Sequence, residues 1–117
     1  MSDRRLFHIA LASDWQAARS SGFYDRSTLG ASVDDIGFIH CSRGMSQVDA
    51  TLAAHYSQVN APLVLLHIDE DALMAAGLRV IDEPVDPQDP GSEAFPHVFG
   101  GALPLDVVAY VLPRPEV

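Results

Sequence analysis

Residues 62–81 read P-L-V-L-L-H-I-D-E-D-A-L-M-A-A-G-L-R-V-I. Pro62 to Ile68 is the most apolar run of the chain and reads as a central strand. Asp69-Glu70-Asp71 places three carboxylates at the start of a short helix through Ala75, where the helix-end charge favours them, and Gly77 ends it. Leu78 to Ile81 reads as the next strand. Only nine residues, 69–77, separate the two strands, and a parallel crossover needs roughly a dozen or more. Strands elsewhere are similarly close. The reading is therefore a small α+β fold with a mixed or antiparallel sheet, and a doubly wound parallel sheet is set aside.

Working outward, Arg5 to Leu11 (R-L-F-H-I-A-L) reads as a second central strand with an internal histidine. Ser13-Asp14-Trp15-Gln16 has the form of a capping box opening a helix to about Ser20, with Gly22 to stop it. Phe23 to Asp35 has no lasting periodicity and reads as a loop with one turn of strand or helix. Gly37 to Cys41 (G-F-I-H-C) reads as a strand, and Ser42-Arg43-Gly44 as a turn. Val48, Leu52, His55, Tyr56 and Val59 form one apolar face of a helix over Met45–Val59, capped by Ser46 and stopped by Asn60-Ala61-Pro62. Pro84 to Pro96 reads as a surface loop, Phe95 to Gly101 as a short strand and turn, and Leu105 to Leu112 as a final strand ended by Pro113 and Pro115.

The chain has 117 residues, 48% of them hydrophobic, enough for one core in a single domain spanning 1–117. Seven arginines, no lysine and sixteen acids leave a net charge of −9. That charge argues against holding duplex nucleic acid by its backbone. It leaves room for a local arginine pocket around one small anion. One cysteine, Cys41, rules out an internal disulfide framework and fits a reducing compartment. No signal-peptide core or run of 18 apolar residues is present, so the expectation is a cytoplasmic protein without a membrane partner. Residues 69–93 hold eight acids against Arg79 alone, which reads as a solvated face.

Three histidines interrupt apolar runs: His8 in F-H-I, His40 in I-H-C-S and His97 in P-H-V-F-G. A buried imidazole must satisfy two ring nitrogens or bear a desolvation cost. A shared polar pocket satisfies all three at once, and this makes them the candidate catalytic residues. In a strand, His40 and Ser42 face one side and Cys41 the other, so Cys41 reads as core and Ser42 as a ligand contact. Arg26 and Arg43 are candidate phosphate partners, and Trp15 and Tyr24 candidate walls for a flat ring. A metal held by His8, His40 and His97 with Asp25 or water lacks any H-x-x-x-H or C-x-x-C spacing, so no metal site is expected. His55 and His67 fit no cluster and read as structural. No nucleophile elbow, P-loop or G-x-G-x-x-G occurs.

F-H-I at 7–9, Trp15 with Ala18, Gly22 with Tyr24, G-F-I-H-C-S at 37–42, Gln47, Tyr56, L-V-L-L-H-I-D at 63–69, Glu83 and F-P-H-V-F-G at 95–100 together resemble the domain of unknown function 952 family. That family resembles the ADP-ribosyltransferase superfamily in fold. The resemblance implies a first-strand histidine, His8, contacting an NAD ribose, and a second strand bringing His40 or Ser42 to the nicotinamide region. The third motif of the superfamily supplies a glutamate. Here His97 occupies that region, with Glu93 and Glu83 as further candidates.

Two readings follow. One is a transferase or glycohydrolase-like enzyme acting on a small nucleotide-type substrate, with NAD as the implied substrate. In it His8 fixes a ribose or phosphate, His40 or His97 moves a proton, and Ser42 orients the ligand. The other is a non-catalytic ligand-binding or protein-interaction module. The expected assembly is a monomer or a weak homodimer.

Overall fold

The computed structural model describes residues 5–113; Pro115, expected to help end the fold, lies outside them. The elements in order are β1 (Leu6–Leu11), α1 (Ala12–Ser21), β2 (Phe23–Tyr24), β3 (Arg26–Thr28), β4 (Ala31–Ser32), α2 (Val33–Ile36), β5 (Ile39–His40), β6 (Ser42–Arg43), α3 (Gly44–His55), β7 (Leu63–Ile68), α4 (Glu70–Ala75), β8 (Arg79–Pro84), β9 (Ala94–Phe99), β10 (Leu103–Pro104) and β11 (Val108–Pro113), with a 3₁₀ turn at Leu105–Val107. The class is α+β.

The larger sheet has the order β11-β7-β1-β6 and the smaller one β5-β9-β8, with two-stranded ribbons β10-β2 and β3-β4. Every pairing is antiparallel. Side-chain alternation divides the core in two. Phe7 and Ile9 of β1 and Leu63 and Leu65 of β7 pack with Val48, Leu52 and Tyr56, the buried stripe of α3 and its C-cap. Leu6, Ala10, Leu66 and Ile68 point the other way, into a cluster with Ile39 and Val98 of the small sheet, Ala18 of α1 and Leu73 of α4. His8 shares the parity of Leu6 and Ala10, so the pleat aims it at the small sheet.

The expected strand over Gly37–Cys41 divides. Ile39 and His40 pair with Val98 and His97 of β9, and the Cys41 N–H donates to the Pro96 carbonyl at 2.9 Å. Pro96 has no N–H to return, so the ladder stops there. The chain then crosses to the large sheet, where Arg43 and Ser42 pair with Leu6 and Phe7. The expected turn at Ser42-Arg43-Gly44 is thus a short strand running into α3.

The helix ends also need correction. Ser13 lies inside the first turn of α1 and makes no cap; Leu11 holds the N-cap position. Gly22 does end α1, with φ 91°. Helix α3 starts at Gly44 without a side-chain cap from Ser46 and stops at His55; the side-chain Oε1 of Gln47 accepts from the Arg43 N–H at 2.8 Å. Asp69 caps α4 by accepting from the N–H groups of Asp71 and Ala72. The loop over 23–35 carries short strands and a capped turn of helix. The final strand is an edge strand whose Tyr110, Val111 and Leu112 are exposed.

Candidate functional site

His8 is 2% exposed, and both ring nitrogens are occupied. Nδ1 lies 2.6 Å from the His40 carbonyl oxygen, which can only accept, so Nδ1 carries the proton. Nε2 is then the acceptor for the Tyr24 hydroxyl at 2.8 Å. Burial pushes the His8 imidazole down to about 4 against the raising effect of its carbonyl bond, and burial pushes the Tyr24 phenol up. The neutral relay Tyr24–His8–His40 backbone therefore spans the gap between the sheets and sets the position of β5.

On the outer face of the small sheet, alternation brings Phe38 and His40 beside Phe95, His97 and Phe99 of β9. The rings form a ladder. Phe99 lies 5.5 Å from Phe38, and Phe38 stacks on His97 at 4.0 Å and 14°. His97 is 5.2 Å from His40, and His40 is 5.6 Å from Phe95 and 6.4 Å from His55. Above it opens a groove of about 530 Å³ whose walls include Ile36, Phe38, Val85 and Phe95, with Thr28, His40, His55, Glu83 and His97 as polar lining residues. This volume suits a small molecule, and apolar walls with a few convergent polar groups are the usual composition of such a site. Ile36 and Val85 on its rim are 40% and 66% exposed.

His97 Nδ1 lies 2.6 Å from Glu83 Oε1, so the ring donates to the carboxylate. No protein group among the described residues bonds its Nε2. A histidine held at Nδ1 by a carboxylate has a fixed tautomer and an outward basic nitrogen. His40 differs: burial, then the nearby His97, His8 and His55, press it down to about 4, so it is a neutral polar group at pH 7.

Of the residues singled out from sequence, His40 and His97 meet in the groove. His8 stands behind His40 and has no ring nitrogen left for a ribose or phosphate while the relay is intact. Ser42 is buried and shares a 3.3 Å bond with Thr51; both line a small polar space of about 10 Å³ behind the groove, together with His8 and His40. Trp15 packs against the core 6.3 Å from Tyr24. Arg26 pairs with Asp25 at 3.6 Å and, with Tyr24, borders a separate depression. Arg43 donates from Nη1 to Glu70 at 2.9 Å and from Nε to Asp82 at 3.0 Å, tying β6 to α4 and β8.

His55, read as structural, is an addition to the site. The buried face of α3 runs through Val48, Thr51 and Leu52, and His55, three residues after Leu52 and seven after Val48, falls on that same face by spacing. It is the last residue of the helix and is exposed, with its ring 6.4 Å from that of His40, so spacing alone reads it as part of the apolar stripe. His67 lies between Phe7 and Tyr110 on the large sheet, away from the groove. The acidic 69–93 segment is more than a solvated face: Glu70 and Asp82 hold Arg43, Glu83 holds His97, Glu93 accepts from Gln47 at 3.0 Å, and Asp86 and Asp89 bond within the loop over 85–92. Among the described residues no group of three or more His, Cys, Asp or Glu is placed to hold a metal ion, and no helix is long and apolar enough to cross a membrane.

An α+β chain with a histidine–carboxylate pair at an apolar groove defines the class. The chain belongs to the family described as protein of unknown function DUF952, whose model matches residues 9–111. It is also similar to protein CC0527 from Caulobacter crescentus, known from an X-ray crystal structure, at 25% identity, a TM-score of 0.69, and coverage of 94% of this chain and 93% of that one. A double mutant of the same protein gives the same values. No curated protein matches the chain.

Proposed function

We propose that this chain is an enzyme that seats the flat ring of a small nucleoside-type molecule in the groove and uses His97, oriented by Glu83, to move a proton in a transfer or hydrolysis. The observation that carries the reading is the 2.6 Å His97–Glu83 bond in a groove of ligand size. Nε2 of His97 takes the proton of an attacking hydroxyl or water as the new bond forms. It returns the proton to the leaving group as the old bond breaks. Such general acid–base help is worth about 10²–10⁴ in rate. His40, neutral, positions the ligand by hydrogen bonding, and the ring ladder supplies stacking surface. In the NAD-using, ADP-ribosyltransferase-like form of this reading, the nicotinamide ring lies in the groove and the pyrophosphate outside it, because no arginine is among the described residues lining the groove.

The test is a thermal-shift and product assay with NAD, ADP-ribose, nicotinamide and adenosine. A saturable shift with product formation, both lost in His97→Ala while the variant still melts cooperatively, is the expected result. Binding that survives His97→Ala, with no product from any compound, would replace the enzyme reading with the non-catalytic module.

A further inference from the structure

The groove has a second property, its charge. Its charged lining residue beside the histidines is Glu83. A shallower depression of about 240 Å³ continues from it past His40, His55 and Phe95 and is bordered by Glu93. The arginines that a phosphate or carboxylate would need are engaged elsewhere: Arg26 on Asp25, Arg43 on Glu70 and Asp82, and Arg79 over the Phe99 ring at 5.8 Å, at the far end of the ladder. His97 gives its Nδ1–H to Glu83 and faces the groove through Nε2, which accepts. His40, kept neutral by burial and its histidine neighbours, brings no positive charge. The aromatic walls present π faces, which attract cations and not anions.

We propose that the groove selects its ring by charge, accepting neutral and cationic flat rings and refusing anionic ones. This rests on the reading of the groove as a ring-binding site. An anion seated there meets Glu83 on the groove lining and Glu93 on the adjoining depression, with no arginine on either lining, and like-charge juxtaposition is an effective means of exclusion. The substrate class is accordingly an unphosphorylated or cationic heteroaromatic, or a larger molecule whose phosphates remain outside the groove.

Three rings of one shape test this: nicotinamide, 1-methylnicotinamide and nicotinate, which are neutral, cationic and anionic at pH 7.5. Each is titrated into the full chain while groove resonances are followed by NMR, at low salt and again at 1 M salt, where the Debye length falls to about 3 Å. The first two are expected to bind within a few-fold of each other and nicotinate at least about tenfold more weakly. That gap persists at 1 M salt because a carboxylate in contact with the ring lies within that screening length, whereas the distant charges of the chain lie beyond it. In Glu83→Gln, and separately in Glu93→Gln, the gap narrows. Equal binding of all three overturns the charge selection and leaves the ring-binding reading standing. A gap that disappears at 1 M salt traces the selection to the −9 charge of the whole chain and overturns the proposal. Failure of all three to perturb the groove overturns both.

Discussion

His8 and His97 are both strand histidines anchored at Nδ1, and they differ in what meets Nε2. In His8 the second nitrogen takes the Tyr24 hydroxyl and the ring is sealed between two sheets. In His97 the Nδ1 partner is a half-exposed carboxylate, and Nε2 has no protein partner among the described residues. A saturated, buried imidazole holds structure. A tethered imidazole with one nitrogen open to a groove is equipped to exchange protons. Composition does not distinguish the two, since both stand next to aromatic and apolar neighbours in sequence.

The largest difference expected between them is in stability. His8→Ala leaves the Tyr24 hydroxyl and the His40 carbonyl without their partner and opens space in the core; urea unfolding should show a loss of about 4 kcal/mol. His97→Ala at the groove should cost less than about 1 kcal/mol. Equal losses would erase the distinction.

The next effect is pH dependence. The unfolded chain protonates His8 near 6.5 and the folded one near 4, so the unfolded state binds more protons in that interval. The stabilisation is complete above 6.5 and is lost as pH falls toward 4, by about 3 kcal/mol for His8. His40 adds a second proton over the same window. Urea titrations at pH 7, 5.5 and 4.5 should therefore show a shallower loss of stability toward acid in His40→Asn, by about 1 kcal/mol per pH unit at most. An unchanged slope would mean that folding leaves the protonation of His40 as it is in the unfolded chain.

A smaller effect isolates the relay. Tyr24→Phe removes one hydroxyl and leaves His8 Nε2 unsatisfied, at a cost of about 1–2 kcal/mol, without altering ligand binding in the groove. A binding defect in this variant would place Tyr24 in the site as well as behind it. The smallest is Arg43→Ala, which breaks two partly exposed ion pairs; it should cost about 1 kcal/mol or less, diminish with salt, and leave ring binding intact.

Much of the fold was legible because it depended on local pattern. The apolar runs of β1 and β7, the glycine that stops α1 and the carboxylates that open α4 each follow from neighbouring residues. The division of the strand after His40 was not legible, because its cause is Pro96, a residue of the strand it pairs with. Helix α3 stops at His55, short of Val59, although its heptad-like spacing continues, and the periodic face hid a histidine that turns toward the groove. In the site, His40 and His97 stood out as histidines in apolar runs, but their meeting depends on the β5–β9 register. Glu83 and His97 lie on paired strands, and nothing local marks them as partners. Arg26 and Arg43 drew attention by type alone, and their nearest carboxylates decide where they go.

Long-range ¹H–¹⁵N NMR of the histidine rings, recorded with and without saturating nicotinamide, tests the division of roles between His8 and His97 directly. Nδ1–H tautomers are expected for both in the free chain. The ligand should shift the Nε2 resonance of His97 and leave that of His8 in place. An Nε2–H tautomer at His97, or a ligand response confined to residues outside the groove, would contradict that division.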